Sequence, residues 1–242
     1  NDIIGHGAAL SDTSPDFSII MGYEAAKNAE DNFQAVILGP QAAKESKLNS
    51  GCILIGDMAG YYTQLNEHSL MFGVNAGGSV DTSYYDIFIG ENAGENIDNS
   101  ILNVLIGPNA GRNLSYGNYN VMVGGHTANH NTGTYGSNNT IMGYQAGYQC
   151  RGDGNVFLGY NAGYNETGSN KLYISNSHDN PLIKGDFSTG KTTFDHILNL
   201  AGVTDYPSSP AEGDIIRLNG HGTDPDGLYI YNGSAWQSIT TW

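Results

Sequence analysis

Positive charge is the scarcest commodity in this chain. Only 9 of its 242 residues are Lys or Arg, against 24 Asp and Glu, for a formal charge of −15. Nucleic-acid binders need basic stripes to neutralise phosphates, so this balance argues against such a partner. It favours solubility and repulsion between copies. No apolar run approaches the roughly 20 residues of a membrane span, and no membrane insertion is expected. Cysteine is nearly missing, with Cys52 and Cys150 the two present. Catalytic signatures are missing too: there is no Ser/His/Asp or Cys/His order, P-loop or HExxH pattern. Asp224-Pro225-Asp226-Gly227 lacks the later acidic ligand of an EF-hand and reads as a plain turn. His126 and His130 lie in a turn context, not at a helical metal spacing. We therefore expect no enzyme, no cofactor and no metal site within one chain. A carboxylate pair assembled across chains and an axial His site remain the open alternatives.

Glycine is abundant, with 34 residues, and it is periodic. Ile87 to Gly111 reads IFIGENAGENIDNSILNVLIGPNAG, two copies of three apolar residues, Gly, two polar residues, Ala and Gly. Gly5, Gly22, Gly39, Gly56, Gly73, Gly90, Gly107 and Gly124 fall at intervals of 17, and Gly143 and Gly159 follow at 19 and 16. A fixed period over ten repeats predicts a solenoid, and 17 residues are too few for a helix–turn–helix repeat. The triplets, such as Ile53-Leu54-Ile55 and Val104-Leu105-Ile106, read as short strands closed by a glycine turn. The fold class expected is all-β: a parallel β-solenoid or β-roll of ten coils. The helix-like Ala25-Ala26-Lys27-Asn28-Ala29-Glu30 sits inside the register, which outweighs its propensity. Other solenoids fit badly. Six residues after Leu105 and Phe88 stand Gly111 and Gly94, which breaks a hexapeptide helix, and Thr is too scattered for an ice-binding array. The calcium-binding nonapeptide pattern is absent.

Alternate residues of a strand face opposite ways. If the first and third apolar residues point inward, the middle ones form an outward stripe: Ile37, Leu54, Met71, Phe88, Leu105, Met122 and Phe157, with Ile3, Ile20 and Ile141. Coils stacked about 4.8 Å apart would make that stripe roughly 45–50 Å long. A stripe so long exceeds the few hundred Å² usual on a monomer. The economical cover is the same stripe on identical chains, so these residues are the expected interchain interface. Cys52 and Cys150 are then roughly 25 Å apart along the axis, beyond the ~7 Å reach of a disulfide, and are expected as free, half-buried thiols.

Amides recur two residues after the phrase glycine, at Gln41, Asn75, Asn92, Asn109, Gln145 and Asn161, and suggest stacked hydrogen-bonded ladders. Tyr144 and Tyr160 follow a phrase glycine by one residue, and Tyr148 and Tyr164 by five. Each pair should stack about 5 Å apart on an outer face. They serve either as an aromatic ladder or as a platform for a sugar ring or apolar receptor patch. The coil opened by Gly124 runs long through Tyr135, and Ser14-Pro15-Asp16 marks a loop. We divide the chain into a solenoid at 1–174, a connecting β segment and linker at 175–206, and a C-terminal β-hairpin module at 207–242. In the last, Tyr229, Tyr231, Trp236 and Trp242 make a second candidate binding surface. Within the connecting segment, short alternating strands with Gly turns over 180–194 suggest a hairpin or interwoven β segment. The chain starts at Asn1 already in register, as expected of a processed chain or a piece of a longer one.

The repeated [IVL]-[ILFM]-[ILMV]-G-x-x-A-G phrase resembles the repeat regions of phage and prophage tail fibres. It is similar, more loosely, to the left-handed β-roll heads of trimeric autotransporter adhesins. Lys171-Leu172-Tyr173-Ile174 with Pro181-Leu182-Ile183-Lys184-Gly185-Asp186-Phe187-Ser188 resembles the stretch closing many fibre stems. Pro210-Ala211-Glu212-Gly213-Asp214 with Leu228-Tyr229-Ile230-Tyr231-Asn232-Gly233-Ser234-Ala235-Trp236 resembles a C-terminal β module of phage-like structural proteins. The resemblance implies a homotrimer, an extracellular or virion location, and a shaft or receptor-binding role toward a cell-surface glycan or other receptor. The 17-residue period is longer than the usual adhesin-head coil, which leaves the handedness open. The rival expectation is a subunit of a cell-surface filament or adhesin whose end coils stack on further subunits.

Overall fold

The structure is a computed structural model that describes residues 2–13, 17–129, 136–195, 202–203, 206–218 and 227–239. All regular structure among them is β-strand and turn. Each coil contributes its apolar triplet to one long sheet: β1 (Asp2–Ile4), β2 (Ile19–Met21), β4 (Val36–Leu38), β6 (Ile53–Ile55), β8 (Leu70–Phe72), β10 (Ile87–Ile89), β12 (Val104–Ile106), β13 (Val121–Val123), β14 (Thr140–Met142), β15 (Val156–Leu158) and β16 (Lys171–Ile174). These strands are parallel and in step: Phe88 lies opposite Leu105, and the 19-residue coil still sets Met122 opposite Ile141. A second parallel sheet of five strands backs the early coils: β3 (Asp31–Phe33), β5 (Leu48–Ser50), β7 (Tyr62–Glu67), β9 (Ser79–Tyr84) and β11 (Ile97–Ile101). The solenoid of about ten turns read from the glycine ruler is present. The register also wins over helix propensity at Ala25, Ala26 and Ala29, which are buried in the coil interior.

The facing of the triplets is the reverse of the sequence expectation. Ile37, Leu54, Met71, Phe88, Leu105, Met122 and Phe157 are 0–1% exposed in the single chain and form its core. They point inward and are no outward stripe. The cause lies across the coil. A Cβ built on Gly94 would sit 2.8 Å from the Phe88 ring, and Ala93 beside it is buried. With Ala and Gly forming the facing wall, each coil has room for one large side chain from its triplet. A close-packed interior would be overfilled by two. The middle residue goes in, and the first and third go out.

The phrase glycine is required for a different reason. Gly107 has φ +126°, and an added Cβ would lie 2.7 Å from the backbone carbonyl of Gly124 in the next coil. Its turn closes with Ala110 N–H bonded to the Gly107 carbonyl at 3.2 Å, while Gly111 N–H reaches Thr127 O of the next coil at 2.9 Å. Hydrogen bonds thus run alternately within and between coils, which locks the stack at its corners.

The array ends in a β hairpin over the stretch whose short alternating strands and glycine turns suggest one. β17 (Ile183–Asp186) pairs antiparallel with β16, and β18 (Lys191–Phe194) pairs antiparallel with β17. The sheet is closed by a hairpin, and residues 1–195 form one compact unit. The expected connecting segment 175–206 is therefore divided, with most of it belonging to the solenoid. The second unit holds β19 (Gly202–Val203), β20 (Ile215–Leu218), β21 (Gly227–Tyr231) and β22 (Trp236–Ser238) in one four-stranded sheet. β20, β21 and β22 are antiparallel neighbours, and β19 runs parallel to β20. The Ser14–Asp16 loop, residues 130–135 of the long coil with His130, Asp224-Pro225-Asp226 and Trp242 lie outside the described residues.

Candidate functional site

The outer face of the long sheet carries two apolar columns in place of the single stripe expected. The first positions run through Ile53, Leu70, Ile87 and Val104, and the third through Ile55, Phe72, Ile89 and Ile106. From β2 to β16 the paired positions of both columns hold no charged residue, and Thr140 is their one polar member. Several are well exposed, with Phe72 at 50% and Met142 at 44%. β-branched residues suit such a pleated surface, and their run along the rod makes a continuous apolar face.

Inside the coil, from Asp86 onward, the position before the triplet forms a polar spine that the sequence reading overlooked. Asn103 N–H donates to Asp86 Oδ1 at 2.8 Å, Asn120 N–H to Asn103 Oδ1 at 2.9 Å and Asn139 N–H to Asn120 Oδ1 at 2.9 Å. The chain continues through Asn155 N–H to Asn139 Oδ1 and Lys171 N–H to Asn155 Oδ1, both 2.8 Å. These groups are buried except at Lys171, so the side-chain oxygens satisfy backbone donors that no water reaches. The signal was in plain view: Asn precedes the apolar triplet at 103, 120, 139 and 155. The spine is structural and touches no surface.

The expected amide ladder exists over three coils. Asn75 Nδ2 donates to Asn92 Oδ1 at 3.0 Å, and Asn92 Nδ2 to Asn109 Oδ1 at 3.3 Å. All three have φ near +55°, a conformation that Asn tolerates better than most residues. That position therefore serves turn and ladder together.

The tyrosine pairs are stacked as the register requires. Tyr144 and Tyr160 have ring centroids 6.0 Å apart with planes 8° apart; Tyr148 and Tyr164 are 4.9 Å and 9°. Stacked rings cover one another's faces and show their edges outward. A ligand ring can lie flat only at the end of such a column. The Tyr148–Tyr164 column ends on His178, 4.7 Å from Tyr164. In the second unit Trp236 packs against Tyr206 at 5.6 Å and Tyr231 at 5.4 Å, and Tyr229 is its buried centre.

Cys52 and Cys150 are free and fully buried, deeper than the half-burial expected. Burial pushes their thiols up to about 12 and about 11, so neither offers a thiolate nucleophile. Comparison of the chain with protein-family models, curated proteins and solved structures gives no match.

Proposed function

We propose that this chain is a structural segment of a homotrimeric, extracellular fibre of the phage tail-fibre kind, spacing and presenting a surface that attaches to a host. The observation that carries the reading is the uncharged outer sheet face on a chain of charge −15. Two columns of side chains over the rod present on the order of 600–700 Å² per chain, near the ~800 Å² per partner of a specific interface and above the usual largest monomer patch. Acidic chains repel one another everywhere except along this strip, and a strip of uniform apolar columns matches a second copy of itself. That face supports side-by-side packing of identical rods. The number three comes from the resemblance of the repeat phrase to tail fibres.

The rival reading, a filament built by stacking end coils, is disfavoured by one feature. The sheet edge beyond the last coil is occupied by the antiparallel β17–β18 hairpin, which cannot continue a parallel stack. Sedimentation equilibrium of the native protein tests the proposal. A mass three times the 25.8 kDa chain is expected, whereas a monomer, or an open-ended series of masses growing with concentration, would overturn it.

A further inference from the structure

The interior columns change character in the last coil. Phe157 is followed in register by Tyr173, and the place held by buried Cys150 is taken by Glu166. Tyr173 donates its hydroxyl to Glu166 Oε2 at 2.9 Å, and Glu166 Oε1 accepts Gly168 N–H at 2.7 Å. An apolar core thus ends in a hydrogen-bonded polar floor. Above it, the 175–182 loop and the closing hairpin leave a cleft of about 310 Å³ lined by Tyr164, Glu166, Tyr173, His178, Lys184 and Asp195. A second hollow of about 430 Å³ shares Glu166, Tyr173 and Lys184. These volumes lie at the lower end of the range of small-ligand sites.

We propose that this cleft binds a neutral sugar residue. Its wall is the end of the aromatic column Tyr148–Tyr164–His178, where the His178 ring is tilted by 50° against Tyr164 and its side chain stays 35% exposed. Asn165 Nδ2 contacts His178 Nε2 at 3.0 Å and Asp179 contacts Nδ1, so the imidazole is held from both sides. A pyranose packs its C–H face on such a ring and needs both acceptors and donors for its hydroxyls. Asp179 and Asp195 supply acceptors; Asn165 and the Lys184 ammonium, 2.8 Å from Asp195, supply donors. Three carboxylates against one ammonium disfavour an acidic sugar. Among the described residues, no group of three or more His, Cys, Asp or Glu is placed to hold a metal ion, so a bound cation is a poor alternative.

The site lies within one chain, and it rests on the fibre reading only for the sugar's source on a host surface. Saturation-transfer NMR on the full chain, with the methyl glycosides of glucose, galactose, mannose and sialic acid as probes, tests it. Transfer to at least one neutral glycoside is expected, with little to the sialoside. Affinity should fall roughly tenfold in Asp195→Asn, as loss of a hydrogen bond to a charged group implies. It should fall similarly in His178→Ala and persist in Tyr144→Ala. Absence of transfer to every neutral probe, transfer surviving both cleft variants, or equal transfer to the sialoside overturns the proposal. Sedimentation of the same sample separates the two readings: a trimer that binds no glycoside removes the cleft and leaves the fibre.

Discussion

Asp86 is the one carboxylate in a column built, from Ser18 to Asn155, otherwise of Ser, Ala, Cys and Asn. Burial raises its pKa, partly opposed by hydrogen bonds from Asn103 N–H and Ser83 Oγ. A raised folded pKa means that the folded state binds the proton more tightly than the unfolded chain. Its cost to stability therefore appears as pH rises from the ordinary value of 3.8 through the folded value, and is fully present above it. Ser83 is also within 2.9 Å of Ser69 Oγ, and its single proton cannot serve both neighbours. Asp86→Asn supplies a donor to Ser83 and keeps the acceptor for Asn103, the acceptor role that Asn fills four coils running. We expect a higher melting temperature at pH 7 and a flatter pH profile; a lower melting temperature would show that the charge is needed. Glycine gives a second test. Gly190 has φ +68° and open space around it, so Gly190→Ala costs backbone strain alone, about 1 kcal/mol. Gly107→Ala adds a collision with Gly124 backbone and should cost clearly more in urea unfolding. Equal costs would mean that the glycine column is not a stacking requirement.

At the scale of elements, the closing hairpin does what an exposed sheet edge needs. Gly185 in β17 stands between Leu172 and Thr192. Gly185→Pro removes a donor from the middle of the hairpin and should free the edge of β16. Light scattering should then rise with concentration, whereas an unchanged signal would mean that the hairpin protects nothing. The strands, their parallel order and their register were legible in the sequence because glycine and apolar triplets recur at one interval. Which face was interior was not. A three-residue apolar strand offers two equivalent choices, and the decision lies in Ala93 and Gly94 across the coil. The hairpin was legible in the short strands and glycine turns of 180–194, but its pairing onto the solenoid sheet was not, because 183–194 carries no period. The cleft was hidden for the same reason, although its Tyr164 lies in the repeat.

For the whole molecule, the inverted facing separates two roles that the sequence reading had merged. The middle column fills the core of one chain, and in the proposed fibre the outer columns join chains. Repulsion between acidic rods opposes that joining and is screened over about 10 Å at 0.1 M salt, so association should strengthen as salt rises. Assembly that weakens with salt would point to charge pairs in place of the apolar face. The most direct test is sedimentation of Ile106→Asp, with circular dichroism on the same sample. Ile106 lies on the outer face beside Leu105, which is fully buried in the core. An unpaired carboxylate within a joined face costs several kcal/mol. The account predicts a folded monomer with the β spectrum of the native chain, because the core of each rod is its own. A variant that keeps the trimer mass at unchanged stability would contradict it.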